Sequence, residues 1–280
     1  MTEAHDGRVW LITGCSGGFG RAVAQEALRQ GDRVIGTLRH RDQFAAFEAL
    51  APGRCHALEL DVRDGPRIGT AVAAAVGRYG RIDVLLNNAG HGLLGAVEET
   101  SLEEARGIFE TNFFGLLQVT QALLPQMREQ GGGRILNMSS GAGVGAVPGL
   151  GLYSATKFAV EGLTEALAAE VAGLGIKVTL IEPGAFNTGF PAGGLVESRR
   201  RLAAYAAFTG HGAAGVQQWY GAHAGHPADA AVAIVRISRE TDPPLRLVLG
   251  ADALGGVRRK IEMLRGDFDR WEALSLSTVR

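Results

Sequence analysis

The chain has 280 residues, of which 46% are hydrophobic and 20% are charged, and its formal net charge is −1. This composition is typical of a soluble globular protein with a sizeable core, and the balanced charge argues against nucleic acid or an anionic membrane as a partner. No apolar run approaches the roughly 20 residues of a membrane helix, and the first six residues carry acids instead of a signal peptide's apolar segment. Cys15 and Cys55 are the only cysteines, too few for a disulfide framework, so we predict a reducing, cytoplasmic location.

The first predicted element is a buried strand over residues 8–13, which runs directly into a glycine-rich turn and then a helix. Glycines at 14, 18 and 20 would let the backbone turn sharply and approach a pyrophosphate, which the free N–H groups at the helix start would hold. The spacing Gly-x-x-x-Gly-x-Gly differs from the commoner Gly-x-Gly-x-x-Gly, so a purely structural turn is the alternative. We interpret the turn as a dinucleotide-binding element.

The end of the second predicted strand, residues 33–38, indicates which dinucleotide is bound. NAD sites usually place an acid here for the ribose 2′-hydroxyl, whereas this chain continues Leu38-Arg39-His40-Arg41. Arg39 can make charge-assisted hydrogen bonds to a 2′-phosphate. We therefore predict that NADP(H) is preferred and NAD(H) possible, with a solvated basic loop as the non-functional alternative.

Polar residues follow the third and fourth predicted strands, residues 56–62 and 81–86. Asp61 lies at the carboxyl end of its strand, where ligands bind in open α/β sheets. The consecutive asparagines at 87 and 88 need hydrogen-bond partners, so we expect them to bridge strands or line the cofactor cleft. Asn112 falls inside a long helical pattern from about 101 to 130, where it is either functional or a buried amide with its hydrogen bonds satisfied.

The fifth predicted strand, residues 134–140, ends in hydroxyls, and a glycine-rich stretch then leads to Tyr153 and Lys157. Residues four apart lie one above the other on a helix face. A neighbouring ammonium lowers the tyrosine pKa from about 10 towards neutrality. The pair therefore suits a proton donor and acceptor for an alcohol and carbonyl couple.

After the sixth predicted strand, residues 176–181, the chain has no strong period from about 190 to 227. We interpret about 187–227 as a substrate loop or lid. It contains His211, His223 and His226, for which no third ligand stands at a suitable spacing, so we predict no metal. A seventh strand over 245–249 precedes a helical extension, about 251–280. Apolar residues recur in this extension at helical spacing, and we interpret them as packing surface: Val257, Ile261, Leu264, Phe268 and Trp271.

About seven short buried strands alternate with helices along the chain. This alternation predicts an α/β fold with one doubly wound parallel sheet between two helical layers. No linker or composition break marks a second domain, so residues 1–280 are expected to form one domain.

These motifs, in this order, resemble the short-chain dehydrogenase/reductase family in its single-domain, Rossmann-type form, and the resemblance covers nearly the whole chain. Within the family, the Thr13–Ser16 turn, the Thr37–Arg39 element and residues 182–188 are similar to the branch related to 17β-hydroxysteroid dehydrogenases, which commonly prefers NADP(H). The chain departs from the pattern at Phe19, where Ile or Leu is usual. It departs also at Gly17, where the branch often has a serine that can contact phosphate. The residues that carry the resemblance are Thr13 to Gly20, Asp61, Asn87 to Gly90, Asn112, Ser140, Tyr153, Lys157 and Pro183 through Thr188.

The resemblance implies a role for each candidate catalytic residue. Tyr153 would exchange a proton with the substrate oxygen, and Lys157 would lower its pKa and bind the nicotinamide ribose. Ser140 would hold the substrate oxygen, and Asn112 would position a water that relays protons to Lys157. The cofactor-binding residues that it implies are Gly14, Ser16, Gly18, Phe19, Gly20, Arg39, Asp61, Val62, Asn88, Ala89, Gly90, Tyr153, Lys157, Pro183, Gly184 and Thr188.

The function expected from these residues is that of an NADP(H)-dependent ketoreductase, which interconverts a small-molecule secondary alcohol and ketone. One alternative is a 3-ketoacyl reductase acting on carrier-linked substrates. Another, of a different class, is a non-catalytic dinucleotide sensor, although such proteins typically lose the tyrosine or lysine. The tail is expected to fold over the edge of the last strand, which favours a homodimer, or a monomer, over a tetramer.

Overall fold

A seven-stranded parallel sheet organises the chain in the computed structural model, which describes residues 7–189 and 194–279. The side chains of residues 217 and 219–223 lie outside the described part. The strands are β1 (Val9–Ile12), β2 (Arg33–Leu38), β3 (Cys55–Glu59), β4 (Val84–Asn87), β5 (Gly92–Leu94), β6 (Gly133–Met138), β7 (Ile176–Pro183), β8 (Leu195–Glu197) and β9 (Arg246–Leu249). The sheet has the order β3-β2-β1-β4-β6-β7-β9, and β5 pairs with β8 in a separate two-stranded sheet. The predicted doubly wound parallel sheet is confirmed.

Helices cover both faces of the sheet. The long helical pattern predicted over about 101–130 corresponds to two helices, Leu102–Phe109 and Gly115–Glu129, which are joined by a π-helical turn, Glu110–Phe114. The α-helices are α1 (Gly18–Arg29), α2 (Phe44–Glu48), α3 (Gly65–Tyr79), α4 (Leu102–Phe109), α5 (Gly115–Glu129), α6 (Gly151–Glu170), α7 (Ala206–Thr209), α8 (Gly212–His223), α9 (Pro227–Arg239) and α10 (Ala251–Leu276).

The core forms on both sides of the sheet because most positions of its central strands are apolar on both faces. In β1, Trp10 and Ile12 face one layer, where Ile234 of α9 packs, and Leu11 faces the other, where Leu123 of α5 packs. All four residues of β1 are buried. A strand with no polar face can be stable only between two helical layers, which gives the three-layer architecture.

Buried amides join neighbouring strands across one of these layers. Asn87 Nδ2 donates to Asn137 Oδ1 and to Thr120 Oγ1, each at 2.9 Å, and Asn137 Nδ2 donates to Thr164 Oγ1 at 2.9 Å. The network links β4 to β6 and both strands to the helices behind them. The expectation that Asn87 bridges strands is confirmed.

The stretch predicted to lack regular structure after residue 190 is instead mostly regular, so that prediction was wrong. It contains β8, α7 and α8. β8 is short and pairs with β5, about a hundred residues earlier, so no local pattern reveals it. α8 is rich in alanine and glycine, which weakens the period of large apolar residues that marks a helix. Residues 190–193 of the expected lid lie outside the described residues.

The tail is helical, but it does not fold over the edge of the last strand, so the predicted arrangement was wrong. Only Ala253 and Val257 of α10 are buried, and the helix then leaves the domain. Its start is fixed by the Asp252 carboxylate, which accepts a hydrogen bond of 2.8 Å from the backbone N–H of Ala185. Ile261 and the larger residues after it stay exposed. Among the helices described, none is both long and apolar enough to cross a membrane.

Candidate active site

A cleft of about 1380 Å³ opens at the carboxyl ends of the sheet strands. Two predicted residues, Gly20 and Asn112, lie behind its walls. The other predicted site residues line it: Gly14, Ser16, Gly18, Phe19, Arg39, Asp61, Val62, Asn88, Ala89, Gly90, Ser140, Tyr153, Lys157, Pro183, Gly184 and Thr188. The cleft is larger than the roughly 300–1,000 Å³ of a pocket for one drug-sized ligand, so it has room for a dinucleotide and a substrate together.

The glycine-rich turn forms one end of the cleft, and two of its glycines are required by geometry. Gly14 has a φ of +73°, a left-handed conformation that disfavours other residues. A Cβ on Gly20 would lie 2.4 Å from the Gly14 carbonyl oxygen and 2.6 Å from Asn88 Nδ2. Gly20 therefore acts by letting α1 pack closely, while the residues before it present their backbone to the cleft.

The turn is tied to the end of β4 by short hydrogen bonds. The Thr13 hydroxyl accepts from the N–H groups of Asn88 and Ala89 at 2.9 and 3.0 Å. Asn88 Nδ2 donates to the carbonyls of Thr13 and Gly14, both at 2.9 Å. Asn88 thus lines the cleft and holds the turn in place, as expected from the sequence.

Charged residues surround the cleft at the ends of β2 and β3. Arg63, which sequence reasoning missed, pairs with Asp61 at 2.6 Å, and its hydrogen bond lowers the carboxyl pKa below its usual value. Arg41 pairs with Glu59 at 2.6 Å. Within the described part of the chain, Arg39 makes no hydrogen bond or ion pair, although its charge also lowers the pKa of Asp61. Arg39 is therefore available to a ligand anion at this end.

Tyr153 and Lys157 lie on α6 at the opposite end of the cleft. The ammonium of Lys157 is almost fully buried, donates a hydrogen bond of 2.7 Å to the Met138 carbonyl and lies 5.7 Å from the centroid of the Tyr153 ring. The Ser140 hydroxyl accepts from the Ala142 N–H at 3.1 Å and donates to the Pro183 carbonyl at 3.4 Å. The cleft thus brings together a phenol, a hydroxyl and a cation.

Asn112 sits in the π-helical turn, a feature often found at functional sites. Its Oδ1 accepts from the His91 N–H at 3.0 Å, and its Nδ2 donates to the His91 carbonyl at 2.9 Å and to Thr156 Oγ1 at 3.1 Å. His91 lines the cleft, and burial lowers its pKa, as do the nearby cations. Asn112 thus holds the loop after β4, and its proposed role in a water relay stays a prediction.

Behind Lys157 lies a buried acidic pair that the sequence did not reveal. Arg246 Nε lies 3.3 Å from a carboxylate oxygen of Glu161 and 3.3 Å from one of Glu182. Burial raises the pKa of both carboxyls, that of Glu182 to about 7, and the charge of Glu161 adds to the rise at Glu182. Burial also lowers the pKa of Lys157 to about 8, an effect that Glu161, one turn along α6, partly opposes. The only sequence signal was the spacing of four between Lys157 and Glu161.

The rest of the cleft is mainly apolar. His211 and Arg259 also line it, whereas His226 does not and the His223 side chain lies outside the described residues. No group of three or more potential metal ligands occurs within the described part of the chain. The apolar wall residues are Leu94, Val147, Leu150, Val196, Phe208 and Val216.

The chain is similar to known oxidoreductases along its length. The model of the short chain dehydrogenase family matches residues 8–193. Oxidoreductase BOA17 of Botryotinia fuckeliana is 35% identical over 273 residues, which are 97% of this chain and 99% of that protein. The mouse 17-beta-hydroxysteroid dehydrogenase type 1 is 38% identical over 66% of this chain and 56% of its own length.

Solved structures share the fold. A short-chain dehydrogenase from Streptomyces avermitilis has a TM-score of 0.92 at 44% identity, covering 99% of this chain and 100% of that one. A short-chain dehydrogenase/reductase from Burkholderia phymatum, solved with NAD, has a TM-score of 0.79 at 26% identity over 94% and 97% of the two chains. ElxO, solved with NADP bound, has a TM-score of 0.74 at 27% identity over 89% and 99%.

The acidic pair predicts a stability that falls as the pH rises. The pKa of folded Glu182, about 7, lies above the value of about 4.3 for an unfolded glutamate. The folded chain therefore binds more protons between these values, so the stabilisation present at lower pH is lost as the pH rises through about 7. We expect Glu182→Gln to flatten the dependence of the unfolding free energy on pH, by up to roughly 1.4 kcal/mol per pH unit.

The measurement is urea denaturation at several pH values for the wild type and two variants. Glu165→Gln is the matched control, because Glu165 contacts the same arginine from an exposed position. It should leave the slope unchanged. Equal slopes for the wild type and Glu182→Gln would contradict the raised pKa of Glu182.

Proposed function

The chain belongs to the short-chain dehydrogenase/reductase family of NAD(P)-dependent oxidoreductases, and on that premise we propose that it interconverts a secondary alcohol and a ketone with NADP(H). The observation that carries the proposal is that Tyr153 and Lys157, one turn apart on α6, line the same cleft as Ser140. A dinucleotide sensor would not need this group of side chains.

The cleft fits the cofactor in size and in its backbone. Gly14, Gly17 and Gly18 line the cleft at the start of α1, where free N–H groups would hold a pyrophosphate. Residues 183–188, from the end of β7 into the loop after it, would hold the nicotinamide end, with Lys157 at the adjoining ribose. The chemistry that the bound cofactor supplies is hydride transfer at its nicotinamide ring.

Tyr153 is the proposed acid and base. In reduction it gives its phenolic proton to the carbonyl oxygen, and in oxidation it takes the alcohol proton. With a pKa of about 8, Lys157 is mostly protonated at neutral pH, so its charge favours the phenolate and makes the exchange easier. The long hydrogen bond from Ser140 to Pro183 is weak enough for the hydroxyl to turn to the substrate oxygen.

Arg39 supports the preference for NADP(H). It lines the cleft without a partner among the described residues, whereas the adjacent Arg41 and Arg63 are held by carboxylates. An uncommitted guanidinium can bind a phosphate without first losing an ion pair. Ser16, which also lines the cleft, is the second candidate contact for the 2′-phosphate.

The apolar residues in the lining of the cleft, among them Leu94, Leu150 and Phe208, support a hydrophobic ketone as substrate. The cytoplasmic location that we predict is supported by the two cysteine thiols, which are free and buried. A reducing compartment is where such thiols persist.

Removing the phenolic proton tests the assignment of Tyr153. We expect Tyr153→Phe to lower turnover by about 10²–10⁴-fold, the usual contribution of a general acid, while NADPH binding is retained. Turnover is followed as ketone-dependent oxidation of NADPH, with the best substrate from a panel of hydrophobic ketones. Tyr205→Phe, at a tyrosine that bonds Glu98 outside the cleft lining, is the control and should be fully active. Near-normal turnover in Tyr153→Phe would refute the assignment.

Reversing the charge of Arg39 tests the cofactor preference without any substrate. Arg39→Asp should shift the ratio of the NADPH and NADH dissociation constants towards NADH by about 10–100-fold, since a charge-assisted hydrogen bond is worth roughly 1.5–3 kcal/mol. Fluorescence titration measures both constants. Arg41→Asp, at the arginine paired with Glu59, should change the ratio little. A ratio that is unchanged in Arg39→Asp would mean that other residues hold the phosphate.

A further inference from the structure

The free part of α10 carries an exposed apolar stripe, which we define as Ile261, Leu264, Phe268 and Trp271. Phe268 is 68% exposed and Trp271 57%. The stripe residues are spaced by three, four and three, the heptad spacing of a helix that packs against another helix. Nothing within residues 7–189 and 194–279 covers them. An apolar stripe of this length on a soluble domain marks an interaction surface.

Charge is distributed unevenly along the same helix. Its first exposed half carries Arg258, Arg259, Lys260 and Arg265 against one acid, Glu262. Its second half carries Asp267, Asp269 and Glu272 against one base, Arg270. Two such helices attract each other when they run antiparallel and repel when they run parallel. The acidic half also disfavours an anionic membrane as the partner.

We propose that the tail helices of two copies of this chain pair antiparallel through the stripe. The pairing aligns Ile261 with the partner's Trp271 and Leu264 with the partner's Phe268. Each stripe residue then meets a stripe residue, and a two-fold axis passes at the level of Gly266. The interface is isologous, so it closes at a dimer and does not extend into a fibre.

The same alignment places Arg258 beside the partner's Glu272. These residues flank the stripe at both ends of the pair, and the two-fold axis makes the contact twice. At the axis, Arg265 meets the partner's Arg265 and Asp267 meets the partner's Asp267, and each Arg265 is accompanied in its own helix by Asp269, 3.8 Å away. The charges therefore select the antiparallel direction mainly through the end pairs.

The area available matches a specific but modest interface. A covered aromatic side chain buries about 150–250 Å², so the exposed parts of Phe268 and Trp271 in two copies supply on the order of 500 Å². Ile261, Leu264 and the neighbouring Leu274, which is also exposed, supply a comparable area. The sum reaches the roughly 1,000 Å² expected of a biological interface.

The first test is the molecular mass of the full chain at micromolar concentration by analytical ultracentrifugation. We expect the mass of the wild type to fall twofold in Phe268→Asp. Met263→Asp is the matched control, because Met263 is 53% exposed on the same helix but lies about 100° from Leu264 around its axis. It should keep the wild-type mass. Equal masses for the wild type and Phe268→Asp, or dissociation of the control as well, would overturn the proposal.

The second test is charge exchange, which separates antiparallel pairing from other contacts. Arg258→Glu should raise the dimer dissociation constant by about tenfold or more, because two attractive contacts become repulsive. Adding Glu272→Arg to the same chain should restore the wild-type dissociation constant. Failure of the double variant to recover would overturn the antiparallel arrangement.

Cross-linking gives a readout that does not depend on disrupting the dimer. Asp267→Cys places a thiol beside the two-fold axis and should be joined to its copy by a short bismaleimide, while Gly266→Cys, on the outer face at the same level, should not. The native thiols are buried. A wild type that sediments as a monomer would overturn the proposal, and its binding to vesicles of phosphatidylcholine and phosphatidylserine would then assign the stripe to lipid.

Discussion

The parallel direction of all seven sheet strands is the constraint on which the rest of the structure depends. Because most positions of the central strands are apolar on both faces, the polar groups that reach the cleft come from the points where the strands end. All the carboxyl ends lie at one edge, so Thr13, Asn88 and Ser140 meet there although the sequence separates them widely. Hydrogen bonds between those ends, such as the one from the Asn88 N–H to the Thr13 hydroxyl, then fix the shape of the cleft. The position of the candidate site therefore follows from the direction of the strands, and the residues at their ends determine its chemistry.

Burial of Lys157 determines the chemistry at that edge. An ammonium that is almost fully buried would lose much of its charge unless it is compensated. The Met138 carbonyl accepts a hydrogen bond from the ammonium, and Glu161 supplies negative charge from the next turn of the helix. The charge of Arg246, which lies equally close to Glu182, favours ionisation of Glu161. The pKa of Lys157 therefore depends on a chain of groups that extends to the last strand of the sheet, and the proposed proton transfer at Tyr153 depends on that chain in turn.

Sequence reasoning succeeded wherever the signal was local. Buried strands appear as continuous apolar runs, and the spacing of Tyr153 and Lys157 is set by one helix. The cluster of Glu161, Glu182 and Arg246 could not be found in this way, because its members come from α6, β7 and β9 and are joined only by the order of strands. The same reason hid β8, whose partner β5 lies about a hundred residues earlier. Asn112 was located by its apolar surroundings, but whether its amide faces the cleft or a neighbouring loop depends on the π-helical turn, which has no sequence signature.

The tail shows why a correct pattern can lead to a wrong arrangement. The heptad spacing of its apolar residues indicates that α10 packs against another element. The same spacing would be expected whether that element is the chain's own sheet or another copy of the chain. What distinguishes the two is charge. A helix that covered the domain would need complementarity to the residues around β9, whereas the separation of basic and acidic halves along α10 is complementary to α10 itself. Charge and spacing together favour a partner outside the chain. Phe268 and Trp271 are then expected to be exposed in one isolated copy, as they are here.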